Sequence, residues 1–161
     1  MIEIKTADKS QFSMIEIFFK ENKLNLKNEF NHSANYVIVL EEKKIIGISE
    51  ILYKDSKVPI IEMLFVISSK RSKGLGDGLL RATLNCLLKE GHELVLLKKN
   101  NKLNSFYLQE NLKHFEESVK EKEFNAVIMK EDNPSLKELN LEKYFYCKPE
   151  TFFRRECNHK M

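Results

Sequence analysis

Tryptophan is absent from this 161-residue chain, and glycine, proline and cysteine are scarce, at 5, 3 and 3 residues. So little glycine and proline excludes collagen-like and low-complexity architectures. Three cysteines, an odd number at no framework spacing, exclude a disulfide scaffold and lead us to expect reduced thiols and a cytoplasmic setting. No run approaches the roughly 18 apolar residues of a membrane span. The opening Met-Ile-Glu-Ile lacks the basic-then-apolar order of a signal peptide, so no membrane partner is expected. Charge of neither sign dominates: 27 Lys and Arg face 24 Asp and Glu. The net +3 is too small to imply nucleic acid. What is present is a globular composition, 42% hydrophobic and 32% charged, enough for one domain with a real core. There is no internal repeat or low-complexity linker.

The most informative stretch is residues 71–78, Arg71, Ser72, Lys73, Gly74, Leu75, Gly76, Asp77 and Gly78. An apolar run (60–67) precedes it and a helical pattern (79–88) follows. Strand, glycine-rich turn and helix start together suit a phosphate. A helix N-terminus leaves N–H groups without partners and carries about half a positive charge. Glycine lets the backbone come close to an anion, and Arg71 and Lys73 add full charges. The inference is an anion-binding loop for a pyrophosphate. It is not a P-loop, because Lys73 precedes the glycine. It is also a poor dinucleotide fingerprint, because Arg71 holds the place of the first glycine in G-x-G-x-x-G.

The loop does match Arg/Gln-x-x-Gly-x-Gly/Ala, and "IEMLFVISSKRSKGLGDGLL" resembles strand four, loop and helix three of the GNAT superfamily of acetyl-CoA-dependent N-acetyltransferases. The resemblance covers residues 1–131 and implies the order β-α-α-β-β-β-α-β-α-β-β. It implies an α/β (α+β) fold: a mixed, mostly antiparallel sheet with helices on both faces. It further implies that strand four splays from strand five. Pantetheine would then enter between them, against the exposed backbone of Leu64 and Val66. The amide of Leu64 would face the thioester carbonyl, in the manner of an oxyanion hole.

Along the chain, residues 2–6 alternate as a first strand. Asp8 and Gln11 form a capping box, and Phe12, Ile15, Phe18 and Phe19 share one helical face. Leu24, Leu26 and Phe30 suggest a short second helix, in the region that lies over the acceptor site in the superfamily. Residues 36–40 and 45–53 read as a hairpin closed by a charged turn. Pro59 starts the next strand. Leu80, Leu84, Leu87 and Leu88 give the following helix its stripe, and Gly91 ends it. Leu94 to Leu97 read as a strand covered on both faces. A short helix over 103–110 ends at Asn111, and strands over 115–119 and 124–129 follow. Residues 132–161 form an extension with Asn133-Pro134 as a helix opening. Its aromatic, basic end is read as a helix and strand packed on the domain or on a second subunit.

Acetyl transfer to an amine needs a base, a donor for the developing oxyanion and an acid for the leaving thiolate. Glu62 is the candidate base, since a lysine-like amine is mostly protonated at pH 7. Polyamine acetyltransferases of this superfamily carry Glu at the same place in a similar "LEDFFV"-like strand. Glu62 and Leu64 should point to one face. Tyr107 is the candidate acid. "NNKLNSFYLQENL" resembles the family's N-x-x-A-x-x-F/Y-Y-x-x-x-G-F with Asn100 and Tyr107 in register, Leu103 in place of the small residue and Asn111-Leu112 in place of Gly-Phe. Asn100 is placed on the pantetheine arm by the same resemblance. Cys147, Cys157 and His159 lack the paired spacing and fourth ligand of a zinc site, so no metal is expected. Cys86 reads as a small buried apolar residue, and His32, His92 and His114 as surface or loop residues.

The sequence therefore leads to an acetyl-CoA-dependent transferase acting on a primary amine by direct attack in a ternary complex. The acceptor is open among polyamines, amino-sugar antibiotics, small metabolites and protein amines. A homodimer is in keeping with such proteins. The alternative is a CoA-binding module that senses or regulates without transferring.

Overall fold

The computed structural model describes residues 1–24, 35–53, 58–115 and 141–159. These fall into two compact units, Met1–Leu52 with Met63–Thr83, and Tyr53–Glu62 with Leu84–Met161. The described strands number seven, mostly antiparallel, in a mixed α/β arrangement.

In the first unit, β1 (Ile2–Thr6) pairs antiparallel with β2 (Asn35–Glu41), and β2 with β3 (Lys44–Leu52). The β2–β3 turn places both Glu42 and Lys43 at positive φ, 49° and 66°. That is the backbone twist a two-residue hairpin requires. Asp8 and Gln11 form the expected capping box, opening a 3-10 turn that feeds α1 (Phe12–Glu21). Ile15, Phe18 and Phe19 of α1 are buried with Tyr36, Ile38, Leu40 and Ile48 in one apolar cluster. Each such side chain contributes about 1.5–3 kcal/mol when fully buried.

Strand β4 (Ile60–Val66) joins the first unit through its C-terminal end, and α2 (Leu75–Lys89) through its N-terminal end. Gly47 has a specific reason. A Cβ there would lie 3.2 Å from the Phe65 carbonyl and 3.2 Å from Val39 Cγ2, so the backbones of β3 and β4 approach more closely than a side chain permits. The Ser49 and Thr83 hydroxyls meet at 2.7 Å, both buried. Thr83 gives its proton to the Leu79 carbonyl at 2.8 Å, so Ser49 is the donor between the two.

In the second unit the N-terminal end of β4 pairs parallel with β5 (Val95–Lys98) at Ile60↔Leu96 and Ile61↔Leu97. On its other side β5 pairs antiparallel with β7 (Tyr144–Cys147), from Val95↔Cys147 to Lys98↔Tyr144. Strand β6 (Lys113–His114) pairs with β7 in turn. Val58, Ile60, Leu94, Leu96, Phe115, Tyr144 and Tyr146 make the unit's core. Gly91, at φ +90°, ends α2 as expected, and Asn111 at φ 63° ends α3 (Asn104–Gln109). The final helix, α4, is Pro149–His159.

Some expectations lie outside the described residues and one shifts. Residues 116–119 of the strand expected at 115–119 are outside the described set; a two-residue strand, Lys113–His114, precedes them. Outside it too are the strand expected at 124–129, the Asn133-Pro134 helix opening and the short helix around Leu26 and Phe30. The strand beside β5, Tyr144–Cys147, comes from the C-terminal segment and is buried along its length. Cys86 is half-buried rather than buried, with its Sγ 3.8 Å from Glu90 Oε1.

The Ser49–Thr83 pair gives a stability test. Thr83→Val should destabilise the chain by about 1–3 kcal/mol, because a buried hydroxyl loses its acceptor. Adding Ser49→Ala should recover part of that loss. Urea unfolding of both variants measures it.

Candidate active site

The loop at the start of α2 belongs to the first unit. Arg71, Ser72, Lys73 and Gly74 are exposed, and residues 75–78 are half-buried. Gly74 has φ +78°, and the space where its Cβ would stand is open to 4 Å. Its glycine is thus demanded by backbone conformation, not by crowding. Ser72 takes the same left-handed region at φ 65°. The Gly78 amide donates to the Gly74 carbonyl at 3.0 Å and so is spent inside the helix. The amides of Leu75, Gly76 and Asp77 are the first-turn donors that no intrahelical carbonyl can reach.

Arg71 does not simply project toward an anion. Its Nε donates to the Val66 carbonyl at 2.8 Å, and its guanidinium lies 5.4 Å from the Phe65 ring centroid. The loop is thereby tied to the end of β4. Asp77 would repel a phosphate, but Arg81 Nε meets both of its oxygens at 2.8 Å and offsets that charge. Lys70 pairs with Glu41 at 2.7 Å. That hydrogen bond, with Lys73 further off, holds Glu41 below its ordinary carboxylate range. An exposed, glycine-turned loop with three first-turn amides and flanking cations fits a diphosphate.

Leu64 and Val66 are buried on the same strand. The Val66 carbonyl is taken by Arg71, a contact that no local sequence pattern foretells.

The second unit holds Glu62, Asn100 and Tyr107. Asn100 is exposed, and its Oδ1 accepts from the Lys102 amide at 2.9 Å. Its own amide donates to Asn104 Oδ1 at 2.9 Å, so this residue builds the turn into α3.

Tyr107 is fully buried. Its ring meets Phe145 edge-on at 5.7 Å, and its hydroxyl has no hydrogen-bond partner. Burial pushes the phenol well above its ordinary value. His114 also departs from the surface reading: it lies 4.8 Å from the Phe145 ring, with Nδ1 buried and unpartnered.

Glu62 sits one residue past the last β4–β5 rung. Lys98 Nζ donates to its Oε1 at 2.6 Å, while its Oε2 is buried without a partner. Tyr144 pairs with Lys98 across β5 and β7. Burial first, and then the Glu62 charge, raises the Tyr144 phenol, against the opposing effect of Lys98. Glu62, Lys98 and Tyr144 thus form a polar row across three neighbouring strands. Sequence reasoning singled out Glu62 and passed over the other two; the one available signal was the change from apolar to Lys at the end of "LVLLKK".

Strand alternation puts Tyr144 and Tyr146 on one face and Phe145 and Cys147 on the other. Glu62 therefore shares a face with Tyr144, and Tyr107 packs on the Phe145 face. The two candidate catalytic side chains lie on opposite faces of this unit's strands. Cys147 is buried, and the side chains of Cys157 and His159 lie outside the described residues. Among the described residues no group of three or more His, Cys, Asp or Glu is arranged to hold a metal. No described helix is long and apolar enough to cross a membrane.

This is the strand–loop–helix arrangement of an acetyltransferase. Residues 6–133 match the family model described as an acetyltransferase (GNAT) domain, and the chain belongs to that family. Solved structures share the fold. Tetrahymena GCN5 superimposes with a TM-score of 0.66 at 16% identity, covering 90% of this chain and 94% of that one. A GNAT-family acetyltransferase from Staphylococcus aureus Mu50 gives 0.58 at 15%, covering 91% and 98%. Arabidopsis thaliana Naa50, solved with the bisubstrate analogue CoA-Ac-MVNAL, gives 0.58 at 15%, covering 70% and 83%. No curated protein sequence matches the chain.

Gly74→Ala should destabilise the chain by about 1–2 kcal/mol, the cost of a side chain in the left-handed region. Thermal unfolding measures this, and an unchanged midpoint would mean that the loop relaxes to negative φ.

Proposed function

We propose that the chain transfers an acetyl group from acetyl-CoA to a primary amine, in a ternary complex. The observation that carries this reading is the placement of Glu62. Its carboxylate stands where the β4–β5 rungs end, with one oxygen held by Lys98 and the other buried and unpartnered. Bound acetyl-CoA supplies an acyl group activated as a thioester.

The first-turn amides of α2, with Lys73 and the remaining guanidinium nitrogens of Arg71, hold the diphosphate. Leu64 offers its backbone amide to the carbonyl oxygen. Glu62 accepts the ammonium proton through Oε2 and so delivers the amine as a nucleophile. Tyr107, whose buried hydroxyl has no partner, is the proton-donor candidate for the sulfur. At reference values of about 10 for a phenol and about 8.5 for a thiol, full proton transfer from Tyr107 is uphill by roughly 2 kcal/mol. Burial steepens it. The hydroxyl therefore acts as a hydrogen-bond donor while charge grows on sulfur, and the thiolate takes its proton later from water. Positioning the two reactants supplies much of the remaining rate.

The acceptor is a small-molecule or protein amine. The peptide-bearing analogue in the Naa50 structure keeps protein amines among the candidates. A second reading, a CoA-binding sensor without transfer, draws on the same ion pair, because Lys98 already occupies one oxygen of the base.

An acetyl-CoA turnover screen against an amine library, read by thiol release, separates the two. Binding without turnover on any amine supports the sensor. For the enzyme, Tyr107→Phe should lower kcat by about 100-fold while leaving acetyl-CoA affinity within error. Unchanged kcat would remove Tyr107 from the mechanism.

A further inference from the structure

Lys98 is the member of the polar row that the proposed reaction leaves without a task. Its Nζ lies 2.6 Å from Glu62 Oε1. That is where a protonated primary amine must stand to hand its proton to this carboxylate. The Lys98 side chain is 40% exposed and that of Glu62 19%, so the pair is reached from solvent. Strand β5 stays paired with β7 through Lys98↔Tyr144, whereas its pairing with β4 covers only Ile60↔Leu96 and Ile61↔Leu97. The lysine is thus anchored by its backbone on one side and extends its amine across the open side. Among the described residues, this ammonium from β5 and the Tyr144 phenol from β7, which burial pushes above its ordinary value, face Glu62. A primary amine on the base, beside a phenol, has the geometry of an acceptor already in place.

We propose that Lys98 is itself acetylated, by its own chain, with Glu62 as the base. The inference rests on the acetyl-CoA reading above. The Lys98 ammonium gives one proton to Glu62. The freed nitrogen lone pair attacks the thioester carbonyl carbon of acetyl-CoA, forming a C–N bond as the C–S bond breaks. The thiolate leaves and is protonated, and the nitrogen loses its second proton to give the neutral amide. Glu62 returns its proton to water. No oxidant or further reactant is needed. The product removes a positive charge from the row and leaves Glu62 facing an uncharged amide.

The test uses purified full-length chain with acetyl-CoA and no added amine, followed by peptide mass mapping. Acetylation of Lys98 should run on the order of 100-fold faster than that of the exposed Lys9. Its rate per chain should not depend on protein concentration. It should fall to the Lys9 rate in Glu62→Gln, a near-isosteric change. Lys98→Arg keeps the charge and should abolish amine-independent thiol release. Trace labelling with acetic anhydride supplies the uncatalysed comparison: there the ion-paired Lys98 should react more slowly than Lys9. Calorimetry with acetyl-CoA separates the two failures. Binding with Lys98 unmodified, or modified no faster than Lys9, or equally fast in Glu62→Gln, overturns this inference alone. An absence of acetyl-CoA binding overturns both it and the reading beneath it.

Discussion

Two backbone rungs, Ile60 to Leu96 and Ile61 to Leu97, decide how the second unit can work. They fix the parallel register, and the register decides which side chains meet just beyond it. Glu62 meets Lys98, and β7 brings Tyr144 to the same row through its own pairing with β5. One residue of slippage between β4 and β5 would send Glu62 to the face opposite Lys98 and Tyr144. Below the row lie Ile60, Leu96 and Tyr146, which exclude water from one side of the carboxylate. One oxygen of that carboxylate is hydrogen-bonded to the Lys98 ammonium.

The first unit solves a different electrostatic problem. A loop proposed to take a multiply charged anion must stay ordered while its own cations repel one another. The chain spends one cation on structure: Arg71 braces the Val66 carbonyl and covers Phe65. It neutralises the one acid in the first turn of α2 with Arg81. What remains for the anion is Lys73 together with backbone N–H, whose partial charge costs no side-chain ordering.

Much of this was legible in the sequence. Asp8 with Gln11 is a cap because the carboxylate and amide stand three residues apart. Gly91 and Asn111 end helices because they tolerate positive φ. The loop was legible for the same reason, since local chemistry writes local conformation. Tyr107 was found by its register with Asn100, but its full burial was not, because Phe145 comes from far along the chain. Lys98 and Tyr144 escaped for that reason too. Their meaning lies in a pairing between strands separated by many residues, and no short-range pattern encodes it. The part Asn100 plays in the turn into α3 was not legible, because it depends on the Lys102 amide and on Asn104 meeting it in the folded chain.

The brace between Arg71 and β4 has a consequence for how this sequence can drift. A lysine at position 71 would keep the charge but could not both stack on the Phe65 ring and present a planar N–H to the Val66 carbonyl. Exchange of Phe65 for an aliphatic residue would likewise strip the guanidinium of its platform. The two positions are therefore bound to change together or not at all, and a lineage that loses one should show compensating changes at the other.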